Sequence, residues 1–377
     1  MKKIYINIGQ RVEKSFVRPY GWRRADYIPE DETCVLVLGG SGANDDRRAN
    51  AYAKDIDELL EENNLKEGVK IYSVVYRADV ESDECFMPFL LQKESREQLL
   101  EKYGHKDIKP KTQRQKQFAE KAQRLYGKDA LSKSNPEILN PPYIERLFEK
   151  VLLYRISENG QKLELEEAMN RVRKLNVVAH CHGGYVFVKL EEMMRQKMIE
   201  LGYLKEEREA IQKQLLCVAL SPYAPLGVSK STMISFGSAR DSEVWHQNAF
   251  HRELLALDKN GDFRLSYFPE KQGNVFVASS MVPEKTDGYE HSFSNYVMPK
   301  RELSKEGKVM LLFARLAILN GVKSSVDNEP LKSVQELLCG DDIKILSLFD
   351  YVKKTGQNMY AKILCSARKF AAMKGRG

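Results

Sequence analysis

One short stretch near the middle of the chain, residues 177–184 (VVAHCHGG), restricts the local backbone more than any other. Its apolar start is typical of a buried strand, and the spacing of Tyr185–Ile199 indicates a helix directly after the glycines. Ala179 and Gly183 stand two positions either side of Cys181, where only small residues let a strand and a helix approach closely. The pattern predicts a strand–turn–helix unit that pushes the Cys181 thiol up into solvent.

Apolar runs of strand length recur on both sides of this unit, with helical segments between them. Alternation of strands and helices is typical of a parallel sheet that is buried on both faces. Six segments are predicted strands, and the last two are predicted to pair: Thr33–Leu38, Val69–Tyr76, Leu215–Leu220, Thr232–Gly237, Phe263–Phe268 and Asn274–Ala278. The predicted fold class is therefore α/β, with a mostly parallel sheet flanked by helices.

The long polar stretch before the cysteine unit interrupts this alternation. A segment from about residue 80 to about residue 165 is predicted to form a helical insertion that acts as a lid. Residues 1–300, including this insertion, are predicted to form the main domain, and residues 301–377 a helical, basic C-terminal region. The apolar run Val309–Leu319 contains Arg315 and is expected to be too short to cross a membrane.

Cysteine usage and the N-terminal sequence indicate a compartment for the chain. Its six cysteines form no CxxC pair, which is typical of reduced thiols. The first residues carry no apolar signal-peptide segment. Together these features predict a cytoplasmic protein.

The net charge of +7 is concentrated in two segments. Residues 92–135 contain twelve Lys and Arg against six Asp and Glu, and residues 352–377 contain seven basic and no acidic residues. Such surfaces suit an acidic partner or an anionic membrane surface, although solvated helix faces give the same pattern. The sequence carries no firm signature of nucleic-acid binding.

The cysteine unit, the order of the strands and the loops after them resemble the α/β-hydrolase superfamily. The cysteine-centred box is similar to those of dienelactone hydrolases and polyhydroxyalkanoate synthases. The resemblance implies an α/β-hydrolase-like sheet whose reactive groups follow in the order nucleophile, acid, histidine: Cys181, Asp241 and His291. Glu243 and Asp287 remain open as alternatives for the acid. His291 is preferred over two earlier histidines, His246 and His251.

This resemblance implies cysteine-dependent acyl transfer, either hydrolysis of an ester, thioester or amide or transfer of the acyl group. His291 would activate the thiol, and Asp241 would hold the imidazole tautomer. The substrate expected is a small acyl or peptide-like compound. The alternative is an inactive hydrolase-fold protein that binds an acidic partner or membrane through its basic insertion and tail.

The glycine-rich loop 39–42 is predicted to complete the site. The resemblance implies that the oxyanion is bound by backbone N–H groups near Gly40, Ser41 and His182. A dinucleotide site is the competing interpretation, but Asp45 occupies the third glycine position of that motif. His180 and His182 flank the thiol and raise the alternative of a metal site, yet no third ligand follows at short spacing. We therefore predict neither a cofactor nor a metal.

Overall fold

The described part of the chain contains most of the predicted strands and the C-terminal end of the predicted insertion. The computed structural model describes residues 4–11, 20–40, 46–76, 142–222, 229–238, 240–241, 265–268, 274–283 and 290–338. Most of the predicted lid and both basic segments lie outside these residues, so the predictions about them stay predictions.

A single large sheet organises the described residues. Its strands are β1 (Ile4–Arg11), β2 (Tyr20–Ala25), β3 (Cys34–Leu38), β4 (Lys70–Tyr76), β7 (Leu175–His180), β8 (Leu216–Leu220), β9 (Thr232–Ser238), β10 (Leu265–Phe268) and β11 (Val275–Ala278). Their order across the sheet is β10-β11-β9-β8-β7-β3-β4-β1-β2. The pairings from β4 through β3, β7, β8 and β9 to β11 are parallel. The predicted α/β class with a mostly parallel sheet is confirmed.

Three antiparallel pairings border this parallel centre. Strand β10 pairs with β11 as predicted, and β1 pairs with both β2 and β4. The first predicted strand began at Thr33, so β1 and β2 were missed. The edge strand β2 carries Arg23 and Arg24, and β1 buries the polar Asn7, whose amide donates to Asp46 and Asn50 at 3.0 and 3.1 Å. Neither strand therefore shows a continuous apolar run.

Helices cover both faces of the sheet. They are α1 (Asp46–Glu62), α2 (Pro142–Val151), α3 (Leu153–Ile156), α4 (Leu165–Arg173), α5 (His182–Glu200), α6 (Lys205–Lys213), α7 (Lys305–Val326) and α8 (Val334–Leu337). The short strands β5 (Ser157–Glu158) and β6 (Gln161–Lys162) form a separate hairpin. Along β7, Val177 packs with the helices α2 and α5, whereas Val178 packs with α1 and α7. Alternate residues of one strand thus enter two cores.

Helix α7 is the most apolar of the described helices and lies in one of these cores. By length and composition it is able to cross a membrane, but 83% of its most apolar window is buried against the rest of the protein. A Cβ on Gly321 would lie 2.1 Å from the Leu216 side chain, so the helix packs directly on β8. The predicted division at residue 300 falls between this helix and the strands on which it packs.

Candidate active site

The cysteine unit has the local structure that the sequence predicts. Strand β7 ends at His180, helix α5 begins at His182, and Cys181 alone makes the turn with φ 54° and ψ −122°. A non-glycine residue in so rare a conformation costs about 1–3 kcal/mol, which the surrounding structure must offset. The Cys181 N–H donates to Leu220 at 3.2 Å, and the Cys181 carbonyl accepts from Gly184 at 3.0 Å. These bonds hold the turn from both sides.

Close packing explains why small residues flank the cysteine. A Cβ on Gly183 would lie 2.0 Å from the Leu38 carbonyl oxygen and 2.9 Å from the Leu38 Cβ. Helix α5 therefore begins directly against the end of β3. Ala179, on the other side of Cys181, is fully buried in β7. Larger side chains at these positions would force the helix away from the sheet.

The thiol is less accessible than the sequence suggests. The prediction that Cys181 projects into solvent is wrong, because only 3% of the residue is exposed. Gly40 lies against it: a Cβ on Gly40 would stand 2.8 Å from the Cys181 Cβ and 3.2 Å from its Sγ. The predicted glycine-rich loop thus begins beside the thiol, while Ser41 lies outside the described residues.

Asp241 and His291 are distant in sequence but adjacent in the structure. Asp241 follows β9 and His291 follows β11, and these two strands are parallel neighbours whose carboxyl ends meet at one edge. The Nδ1 atom of His291 lies 2.7 Å from Oδ2 of Asp241. Asp241 is 1% exposed, and the His291 side chain is 23% exposed. The alternatives Glu243, Asp287, His246 and His251 lie outside the described residues.

Opposing effects set the proton affinity of His291. Burial lowers its pKa, but the charge of Cys181, the hydrogen bonds to Asp241 and Cys181, and the Asp241 charge together raise the pKa well above its ordinary value. Histidine needs such anionic neighbours to stay protonated in a partly buried site. The imidazole is therefore suited to receive and hold a proton from the neighbouring thiol.

His180 lies in contact with His291 but has the opposite tendency. Their ring centroids are 4.8 Å apart. Burial, with a smaller contribution from the charge of His291, lowers the pKa of His180 to about 3. Adjacent groups whose pKa values are driven apart take different roles, so His291 alone is fit to exchange protons near neutral pH. The sequence placed His180 next to the thiol but did not indicate its contact with His291.

The side chain of His182 lies in a different environment from that of His180. It is fully buried, its Nε2 lies 3.1 Å from the Tyr143 hydroxyl, and burial lowers its pKa to about 3. His180 instead packs against Tyr52 and Phe293, so the two histidines do not converge on one point. Within the described ranges no three potential metal ligands cluster. His182 is the first residue of α5, so its backbone N–H lies at the N-terminal end of the helix.

Glu290 is a buried carboxylate that no sequence pattern singles out. It accepts from the Ser238 hydroxyl at 2.6 Å, from the Met281 N–H at 2.7 Å and from the Ser280 hydroxyl. Ser238 is the last residue of β9, and Ser280 and Met281 follow β11; these are the two strands that also precede Asp241 and His291. Glu290 thus fixes the segment that carries His291.

Comparisons with known proteins identify no relative of the chain. No protein-family model matches it, and no curated protein sequence matches it. Its function is therefore inferred from the arrangement of Cys181, His291 and Asp241 at the edge of the sheet.

Proposed function

We propose that the protein is a cysteine-dependent acyl-transfer enzyme with an α/β-hydrolase-like fold, in which Cys181 forms a covalent acyl thioester. One observation carries the proposal: the residues that follow three strands of the sheet bring a thiol at a strained turn, an imidazole and a buried carboxylate together. The thiol raises the pKa of His291, and the carboxylate of Asp241 lies 2.7 Å from its Nδ1. A binding protein of similar fold has no need of this alignment.

The order of these groups along the chain supports the same proposal. α/β-Hydrolases place the nucleophile at a strand–helix turn and follow it with the acid and then the histidine. Here Cys181 follows β7, Asp241 follows β9 and His291 follows β11. Gly40, two residues after the end of β3, lies beside the Cys181 side chain, and α/β-hydrolases use the corresponding loop for part of their oxyanion site.

The proposed reaction begins with proton transfer from Cys181 to His291. Asp241 accepts from Nδ1–H, which leaves Nε2 as the atom that receives the thiol proton. The thiolate attacks the substrate carbonyl carbon, and the resulting oxyanion accepts hydrogen bonds from the His182 N–H and from the loop at Gly40. His291 then returns the proton to the leaving group, whose bond to the carbonyl carbon breaks.

The second half of the reaction regenerates the enzyme. His291 removes a proton from water, or from an acceptor alcohol, thiol or amine, which attacks the thioester carbon. The carbon–sulfur bond breaks, and the proton on His291 returns to Cys181. Water gives hydrolysis, and another acceptor gives acyl transfer.

Replacement of the thiol tests the proposal. We expect Cys181→Ala to abolish hydrolysis of simple thioesters and esters while the thermal unfolding temperature stays close to that of the wild type. Cys181→Ser retains weak activity, because a hydroxyl is harder to deprotonate than a thiol. Cys217→Ala, which removes a buried thiol from β8, is the matched control and should stay active. Full activity of Cys181→Ala would refute the covalent mechanism.

A further inference from the structure

One buried histidine has a role that the proposed reaction leaves unassigned. His180 is 3% exposed, and its ring lies among Tyr52, Phe293 and His291. Its Nε2 lies 2.8 Å from the His291 carbonyl oxygen. A carbonyl oxygen only accepts hydrogen bonds, so Nε2 must carry the ring proton. The tautomer of His180 is therefore fixed by its neighbour.

This tautomer makes Nδ1 an obligate hydrogen-bond acceptor. Burial and the charge of His291 keep the pKa of His180 at about 3, so the ring stays neutral near neutral pH. Within the described parts of the chain, the buried Nδ1 atom has no hydrogen-bond partner. Buried polar atoms are nearly always paired, and an exception calls for an external partner.

The unpaired acceptor and the thiol border the same small space. A Cβ on Gly40 would lie 3.2 Å from His180 Nδ1 and also 3.2 Å from Cys181 Sγ. Only glycine at position 40 leaves this space open, because the Cβ of any other residue would lie 2.8 Å from the Cys181 Cβ. A group bound to the sulfur thus passes close to Nδ1.

We propose that His180 is a substrate-binding residue, whose Nδ1 accepts a hydrogen bond from an N–H group on the atom next to the reacting carbonyl. The inference rests on the proposed acyl transfer at Cys181 and defines its substrate class as α-acylamino acyl compounds. In the acyl thioester the carbonyl carbon is bonded to Sγ. The α-nitrogen is then two bonds beyond that carbon, so its N–H lies near the space that Nδ1 borders.

A matched pair of substrates tests this assignment. The phenyl thioesters of N-acetylglycine and of 4-oxopentanoic acid differ in that CH2 replaces N–H. The measured quantity is kcat/KM for the N–H substrate divided by kcat/KM for the CH2 isostere. We expect this ratio to be about 10- to 100-fold higher in the wild type than in the His180→Gln variant, because the isostere leaves Nδ1 unpaired. Glutamine keeps a donor for the His291 carbonyl but has no acceptor at the Nδ1 position.

The complementary variant, His180→Asn, keeps an acceptor at that position and loses the donor to His291. It should retain the wild-type preference to within a few-fold, even if its rates are low. Because each ratio compares two substrates on one protein sample, it does not depend on how much of a variant is folded. Equal ratios in the wild type and His180→Gln would overturn the inference and leave the proposed acyl transfer intact.

Alkylation of Cys181 gives the same comparison without turnover. The chloromethyl ketone of N-acetylglycine and its CH2 isostere each form a carbon–sulfur bond as chloride leaves, and the thiol proton passes to His291. We expect the N–H compound to label wild-type Cys181 faster, and His180→Gln to lose this difference, as measured by intact-protein mass. Equal labelling rates would overturn the inference, and no labelling of Cys181 by either compound would overturn the proposed function as well.

Discussion

At the carboxyl ends of the strands, single residues of the candidate site have an unusual backbone conformation or an unusual pKa. Cys181 adopts a backbone conformation that few residues other than glycine adopt, and two contacting imidazoles, His180 and His291, differ in proton affinity. Burial is the largest cause of the lowered pKa of the neutral histidines, whereas His291 owes its raised pKa to anionic neighbours that outweigh burial. Charge and packing at single positions thus decide which group exchanges protons.

The buried side chain of His182 predicts a pH dependence of stability. Its pKa in the folded protein is about 3, below the ordinary value of 6.5, so between these values only the unfolded chain binds the proton. Stability is therefore lost as pH falls below about 6.5, by up to about 1.4 kcal/mol per pH unit for each such histidine. In urea unfolding at about pH 7 and about pH 5, His182→Gln should lose less stability than the wild type. Equal losses would show that His182 is not held neutral.

The tight turn after Cys181 predicts that one added methyl group strongly lowers the free energy of unfolding. Gly183→Ala would place a Cβ 2.0 Å from the Leu38 carbonyl oxygen, so helix α5 must shift, at a cost of about 3 kcal/mol in the free energy of unfolding. Gly237→Ala is the matched control, because a Cβ there has nothing within 4 Å, and its effect should stay within about 1 kcal/mol. Urea unfolding of both variants measures the difference, and similar values for the two would contradict the packing argument.

At the scale of elements, the ends of β9 and β11 bring the acid and the histidine together. Glu290 joins these ends through Ser238, Ser280 and the Met281 N–H. The loop before α7 is joined to them as well, since the Ser304 N–H donates to Met281 at 2.9 Å. The position of His291 thus depends on a carboxylate that need not contact substrate.

Neutralising this carboxylate should weaken both fold and activity. Glu290→Gln replaces a charged acceptor by an amide, and we expect a loss of about 2 kcal/mol in stability, since hydrogen bonds to buried charges are worth about that much. Thioester hydrolysis should fall as well, because His291 loses its fixed position. Glu302→Gln, at an exposed carboxylate, is the control and should change neither. A Glu290→Gln protein with wild-type unfolding and rate would remove Glu290 from this role.

The elements that the sequence predicts well are those whose burial is continuous. Strands β3, β4, β8 and β9 were placed to within one residue at each end, because both of their faces are buried and each contains consecutive apolar residues. The cysteine turn was recognisable from its small residues. Strands β1 and β2 were not, because a buried Asn7 and an arginine-rich edge break the apolar pattern.

The surroundings of the thiol required distances that no local pattern contains. Asp241 and His291 were predicted through the order of a family resemblance, and the structure brings them together. The roles of His180 and Glu290 depend on contacts with residues far away in the chain, at His291 and Ser238. The sequence alone places His180 beside the thiol but shows neither its contact with His291 nor the contacts of Glu290.

At the scale of the whole molecule, the described residues form a sheet with a helical layer on each face, and the site lies at the carboxyl ends of the strands. Helices α1 and α7 cover one face and α2, α4, α5 and α6 the other, so the strand ends are held from both sides. The lid, the binding of an acidic partner or anionic membrane by the basic segments, and the cytoplasmic location stay predictions. The site itself needs only the described strands and loops to bring Cys181, Asp241 and His291 together.

The most direct test of this account is the mass of the protein during turnover. After rapid acid quenching of a reaction with phenyl thioacetate, we expect intact-protein mass spectrometry to show one added acetyl group, located by peptide mapping on Cys181. His291→Ala should form this species far more slowly, and Cys181→Ala should not form it at all. Thioester hydrolysis by the wild type with no acetyl group on Cys181, or with equal acetylation in His291→Ala, would contradict the central claim.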